Sequence, residues 1–177
     1  MINLPNIISL SRIFLLVPIV FLFENKFYEL SLIIFVIAAF TDFLDGYVAR
    51  FKGQESETGA LIDLLSDKIF VSVILIWLSF LYSNYIILVS TILIISREII
   101  ISYVRLHLNS LGNLNIKDLS ADYLGKIKTT LQMSGIAFLI VSELFNQVIF
   151  YLSVTLILLS AIISWISLIN YFKKWNL

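Results

Sequence analysis

The sequence predicts an all-α fold, a bundle of six membrane-spanning helices, on the strength of three observations. Of its 177 residues, 60% are apolar and only 14% charged, and the mean hydropathy is +1.00, well away from soluble domains. The apolar residues gather in six runs, at 10–23, 28–49, 60–82, 85–104, 123–142 and 147–170, mostly near the span of about 20 residues that a membrane helix needs. The basic residues are unevenly divided between the connections. Little chain is left for a soluble core, so 1–177 reads as a single membrane domain, with any site built between helices or at their ends.

Leu4-Pro5-Asn6 reads as the start of a short interfacial helix, because proline is tolerated in a first turn and Asn3 is a suitable cap. No basic residue precedes the first run and no small-residue cleavage site follows it, so it is expected to be retained as a span rather than removed as a signal. The connections then alternate: 24–27, 83–84 and 143–146 are short, whereas 50–59 and 105–122 carry charge. Of twelve Lys and Arg, only Lys26 lies beside the short connections; Arg12, Arg50, Lys52, Lys68, Arg97, Arg105, Lys117, Lys126, Lys128, Lys173 and Lys174 lie toward the other face. The positive-inside rule makes that face cytoplasmic, with both termini on it. Trp165, Tyr171 and Trp175, near the end of the last run, are expected to be interfacial anchors.

Composition also excludes function classes. A formal net charge of zero gives no reason to expect nucleic acid as a partner. The absence of cysteine removes thiol nucleophiles, disulfides and thiolate metal sites, and the single His107, at a helix end, makes a histidine-rich zinc site implausible.

The segment 41–68 reads TDFLDGYVARFKGQESETGALIDLLSDK. Asp42, Asp45, Gly46 and Ala49 recur at helical spacing on one run, as do Gly59, Asp63 and Asp67 on the next. A short connection makes these helices antiparallel neighbours, so the stripes can face each other near one membrane surface. Four carboxylates so close to hydrocarbon repel one another and are costly to bury. An all-carboxylate set suits hard divalent cations, Mg²⁺ or Mn²⁺, and a pair about 4 Å apart would bridge a diphosphate. Gly46, Gly59 and Ala49 leave room for a nucleotide to approach the backbone, and the planar fork of Arg50 suits a phosphate. The competing reading is a set of interfacial charges solvated at helix ends.

This segment matches the pattern D-x2-D-G-x2-A-R-x8-G-x3-D-x3-D at every fixed position, as Asp42, Asp45, Gly46, Ala49, Arg50, Gly59, Asp63 and Asp67. It thereby resembles the CDP-alcohol phosphatidyltransferase family. The resemblance implies helices around a polar cavity open to the cytoplasm and two metal ions shared by Asp42, Asp45, Asp63 and Asp67. It further implies that Asp67 doubles as general base for an acceptor hydroxyl, that Gly46, Ala49, Arg50 and Gly59 line the CDP site, and that the enzyme is a homodimer.

Two further blocks, Ser96-Arg97-Glu98-Ile99-Ile100-Ile101-Ser102 with Arg105, and Gly125-Lys126-Ile127-Lys128-Thr129-Thr130-Leu131-Gln132, bear on the acceptor. With Asn3-Leu4-Pro5-Asn6 and Arg12, they resemble the bacterial branch of the family that uses sn-glycerol 3-phosphate. The implied reaction moves a phosphatidyl group from CDP-diacylglycerol to that acceptor and releases CMP, at the bacterial inner membrane. Arg97 and Arg105 lie on one face of the fourth helix, about 12 Å apart along its axis, where both can meet an acceptor phosphate. The alternative for Arg97 is a buried ion pair with Glu98. Lys126 and Lys128 are about 200° apart around a helix, so only one faces the cavity; Lys126 is expected to do so, with Lys128 reaching lipid headgroups. Asp118, Asp122 and Glu143 are given no chemistry, Glu143 because it lies at the opposite end. The alternatives are the same chemistry on phosphatidylglycerol, inositol phosphate or serine, a cation transporter, or a structural scaffold.

Overall fold

The computed structural model describes the backbone of residues 4–52, 57–110 and 123–175, and the side chains of 10–41, 65–104 and 123–173. Among the described residues there are six α-helices and no strand: α1 Leu4–Glu24, α2 Tyr28–Lys52, α3 Glu57–Tyr82, α4 Tyr85–Ser110, α5 Tyr123–Val141 and α6 Gln147–Trp175, with one 3₁₀ turn at Ser142–Leu144. Each of the six apolar runs is a helix. Among the described residues, the stretch expected to open an interfacial helix is continuous with the first apolar run: α1 starts at Leu4 and continues to Glu24. The proposed Asn3 cap lies outside the described residues.

The tight connections have local causes. At the end of α1, the Phe27 amide donates to the Leu22 carbonyl at 2.8 Å and the Lys26 amide to Phe23 at 2.8 Å, the bonding of a Schellman closure. Lys26 takes the left-handed conformation this closure requires, with φ of 65°. Between α3 and α4, Ser83 is left-handed with φ of 46°, and Asn84 Oδ1 caps α4 by accepting from the Ile86 and Ile87 amides at 2.8 and 3.3 Å. Both turns reverse the chain within a few residues, so consecutive helices run antiparallel.

The bundle is organised by three contacts. Helix α1 packs on both α2 and α3. The rings of Tyr28 and Trp77 stand edge-on to Phe23 at 4.9 and 5.0 Å, and seven residues along each helix Phe35 of α2 stacks on Phe70 of α3 at 5.9 Å. These rings fix an antiparallel register of α2 against α3. Helices α5 and α6 are in close contact at Gly135, where a Cβ would come within 2.7 Å of Ile157 Cγ1 and 3.3 Å of its backbone nitrogen. A small residue lets the two backbones approach, the usual device of helix pairs in lipid.

The distribution of polarity is that of a membrane protein. Phe14, Val17, Phe21, Phe80 and Val148 are at least 65% exposed, while Arg12, Arg97, Lys128 and Gln132 are buried. Charges turned inward and phenyl rings turned outward are stable when the surroundings are hydrocarbon. Three helices are long and apolar enough over their described residues to cross a bilayer, at Leu65–Tyr82, Tyr85–Val104 and Gln147–Lys173, and a shorter apolar stretch lies at Tyr28–Thr41.

Trp165 and Tyr171 depart from the interfacial role expected of them. Trp165 Nε1 donates to the Leu93 carbonyl at 3.0 Å, and Tyr171 is buried with Ile101 and Leu168 in a small second core between α4 and α6. Their indole and phenol bodies serve helix packing, a role that proximity to the end of the chain does not reveal.

Candidate active site

A layer of ionic side chains crosses the bundle about one helical turn beyond the aspartate-rich ends of α2 and α3. Its first pair joins α1 to α3: Arg12, fully buried, brings Nη1 to 3.9 Å from Asp67 Oδ1. Asp67 keeps 36% of its side chain exposed, whereas its partner is fully buried. The next residue on α3, Lys68, is turned about 100° around the helix and reaches α4. Its ammonium donates to the Glu98 carbonyl at 3.2 Å and to Ser102 Oγ, and lies 3.5 Å from Glu98 Oε2.

Glu98 is the hub of the second part of the layer. Its Oε1 accepts from Arg97 Nη1 at 2.9 Å and from Lys128 of α5. Arg97 also reaches α6, donating Nε to the Ser164 carbonyl at 3.0 Å and Nη2 to Ser167 Oγ at 3.2 Å. One carboxylate thus gathers cations from α3, α4 and α5, and Arg97 ties the assembly to α6. Among the described residues the layer holds four cations, Arg12, Lys68, Arg97 and Lys128, against two carboxylates, Asp67 and Glu98. Around Glu98 alone three positive groups face one negative.

The expected inward lysine is reversed. Lys128 is buried and bonded to Glu98, whereas Lys126 is exposed. Gln132 is buried with Lys128, and Thr129 and Thr130 are exposed with Lys126, their hydroxyls back-bonded to its carbonyl at 2.9 and 3.1 Å. The packing of α5 on α6 decides which side points inward. Gly125, Lys128, Gln132, Gly135 and Leu139 form the buried stripe at alternating three- and four-residue steps, a periodicity present in the sequence that identifies Lys128 once the two glycines are weighed.

Arg97 is inside the bundle and paired to Glu98, as its alternative sequence reading has it. Lys68 and Glu98 were not expected in the site. Their signal was adjacency, Lys68 next to Asp67 and Glu98 next to Arg97, with Ser102 one turn on from Glu98. Glu143 is exposed at the opposite end, beside the Tyr82–Ser142 contact of 3.2 Å.

Asp42 and Asp45 lie in α2 and Asp63 in α3, and their side chains, with those of Gly46, Ala49, Arg50, Gly59 and Arg105, lie outside the described residues. Among the described residues no three acidic, His or Cys side chains gather as a metal site.

Fold and site together define a polytopic helical membrane protein whose described residues place Arg12, Lys68, Arg97 and Lys128 inside the bundle, paired to Asp67 and Glu98. The model of the CDP-alcohol phosphatidyltransferase family matches residues 2–168, and the chain belongs to that family. It is 32% identical over 173 residues to a CDP-diacylglycerol–glycerol-3-phosphate 3-phosphatidyltransferase of Wigglesworthia glossinidia brevipalpis, covering 96% of this chain and 93% of the relative. Proteins of the same name from Salmonella choleraesuis (strain SC-B67) and Shigella flexneri serotype 5b (strain 8401) are 31% and 29% identical, each alignment covering 96% of this chain and 92% of the relative.

Proposed function

We propose that this chain transfers the phosphatidyl group of CDP-diacylglycerol to sn-glycerol 3-phosphate, giving phosphatidylglycerophosphate and CMP. The observation that carries the choice of acceptor is the cluster of Lys68, Arg97 and Lys128 around Glu98. Three cationic side chains gathered from three helices suit a phosphate monoester better than a zwitterionic acceptor such as serine. The relatives' shared name supports the same choice.

In this reading the six helices form one domain over 1–177, all six span the inner membrane, and both termini and a polar cavity face the cytoplasm. Asp42, Asp45, Asp63 and Asp67 would hold divalent cations, Mg²⁺ or Mn²⁺, in a set of two. The fit rests on chemistry and register. All four donors are hard carboxylates, and two turns on from Phe35 is Asp42, as two turns back from its stacking partner Phe70 is Asp63. When bound, the cations would polarise the diphosphate and offset the charge that develops on departing CMP. Gly46, Ala49, Arg50 and Gly59 serve the CDP moiety.

The protein's own contribution is orientation and proton transfer. Arg97, Lys128 and Arg105 hold the acceptor phosphate, Lys128 taking the part first given to Lys126 because it is the buried one of the two. Asp67 accepts the proton of the acceptor's primary hydroxyl as that oxygen attacks the lipid-side phosphorus and the bond to CMP breaks. Arg12 beneath Asp67 keeps the carboxylate in place. A homodimer is the expected assembly.

The test is to give purified protein CDP-diacylglycerol with glycerol 3-phosphate, phosphatidylglycerol, inositol phosphate or serine in turn and to measure CMP. Release with glycerol 3-phosphate is expected. Release with serine and not glycerol 3-phosphate would overturn the acceptor assignment, and divalent-cation uptake into vesicles without any CMP would overturn the enzyme reading.

A further inference from the structure

We infer that Glu98 is a positioning residue for the acceptor site: it touches neither the donor nor the reacting atoms, and acts by holding the Lys128 ammonium where the acceptor's phosphate binds. The inference rests on the proposed acceptor reading.

The cations around Glu98 do not depend on it equally. Arg97 spends two of its N–H groups on Ser164 and Ser167 of α6, so its guanidinium stays in place without the carboxylate. Lys68 is held by the Glu98 main-chain carbonyl and by Ser102 Oγ, neither of which belongs to the Glu98 carboxylate. For Lys128 the only bonded side chain among the described residues is Glu98. A lysine has a long flexible stem and no planar fork to fix its direction, and this one is buried on the helix face of Gly125, Gln132 and Gly135, where little else can orient it.

The arrangement also explains why an acid is tolerated in a cluster built to attract an anion. With three cations around one carboxylate, Glu98 lowers the repulsion among them. A neutral residue there would increase that repulsion and release the one cation that lacks a second anchor. An ammonium freed in this way swings away from the acceptor, which weakens acceptor binding while donor binding is untouched.

The experiment compares wild type, Glu98→Gln, Lys128→Met and the double variant, purified in detergent, for KM toward each substrate. Glu98→Gln is expected to raise KM for glycerol 3-phosphate about tenfold, the equivalent of one lost charged contact, and to leave KM for CDP-diacylglycerol within about twofold. The double variant is expected to be no worse than Lys128→Met alone, since Glu98 acts through that lysine. A purely structural Glu98 would lower the active fraction, and so the maximal rate, without moving KM for one substrate only; that pattern would overturn the inference. So would multiplying effects in the double variant. If Lys128→Met leaves KM for glycerol 3-phosphate unchanged, the acceptor reading fails and this inference with it; if Lys128→Met raises it and Glu98→Gln does not, this inference alone fails. Should Glu98→Gln not fold, Glu98→Asp retains the charge on a stem shorter by one methylene, and an unchanged KM for glycerol 3-phosphate in that variant would also overturn it.

Discussion

Replacing Lys128 by methionine keeps an unbranched apolar stem and removes the ammonium with its charge, which isolates what that group does. The structural cost is contained, because Glu98 retains Arg97 at 2.9 Å and Lys68 at 3.5 Å. Removing one member of a buried, hydrogen-bonded charge pair costs about 2–5 kcal/mol when nothing replaces it. Here two other cations stay beside the carboxylate and beside the acceptor phosphate, so the lower end applies, about 2 kcal/mol or roughly a thirtyfold rise in KM for glycerol 3-phosphate. Lys126→Met removes an equal charge two residues away from an exposed position, and its effect is expected to stay within about twofold. The assay is initial-rate CMP release at fixed CDP-diacylglycerol over a range of glycerol 3-phosphate. Equal responses from the two variants, or a larger one from Lys126→Met, would refute the assignment of the buried lysine to the acceptor.

Other expectations can be checked with the same preparation. Asp67→Asn removes the proposed proton acceptor and should cut kcat about a thousandfold, the usual scale of general-base catalysis; a loss below tenfold would assign the proton elsewhere. Stripping divalent ions with a chelator should abolish CMP release, and either Mg²⁺ or Mn²⁺ should restore it; full activity after chelation would exclude the four-aspartate metal set. Gly135→Leu forces a side chain into the space now taken by Ile157 and should cost about 1–3 kcal/mol of stability, read as an unfolding midpoint lower by several degrees in detergent. An unchanged midpoint would mean that α5 and α6 can separate freely at that point.

Much of this protein was legible in one dimension. The six apolar runs are the six helices, with ends displaced by a few residues where charged turns continue the backbone pairing past the hydrophobic stretch, as α4 does to Ser110. The aspartate motif was legible because fixed spacing on two adjoining helices is a linear property. The interior of the acceptor site was not. Lys126 and Lys128 point to opposite sides of α5; in the sequence only Gly125 and Gly135, spaced to share the Lys128 side, mark which of them is buried, and the closeness of α5 to α6 at Gly135 is what turns that side inward. Trp165 was misjudged for the same reason: its hydrogen bond goes to Leu93, more than seventy residues earlier in the chain.

The sequence by itself determined that the chain lives in a membrane, where its six described helices fall, and where the family's aspartate pattern lies along two of them, because hydrophobic run length and helical periodicity are local. Tertiary structure alone decided that Lys68, Arg97 and Lys128 converge on Glu98 from three different helices. Charges brought together by packing leave no common spacing in the chain, and the facing direction of a helix is fixed by its neighbours' shapes rather than by its own residues.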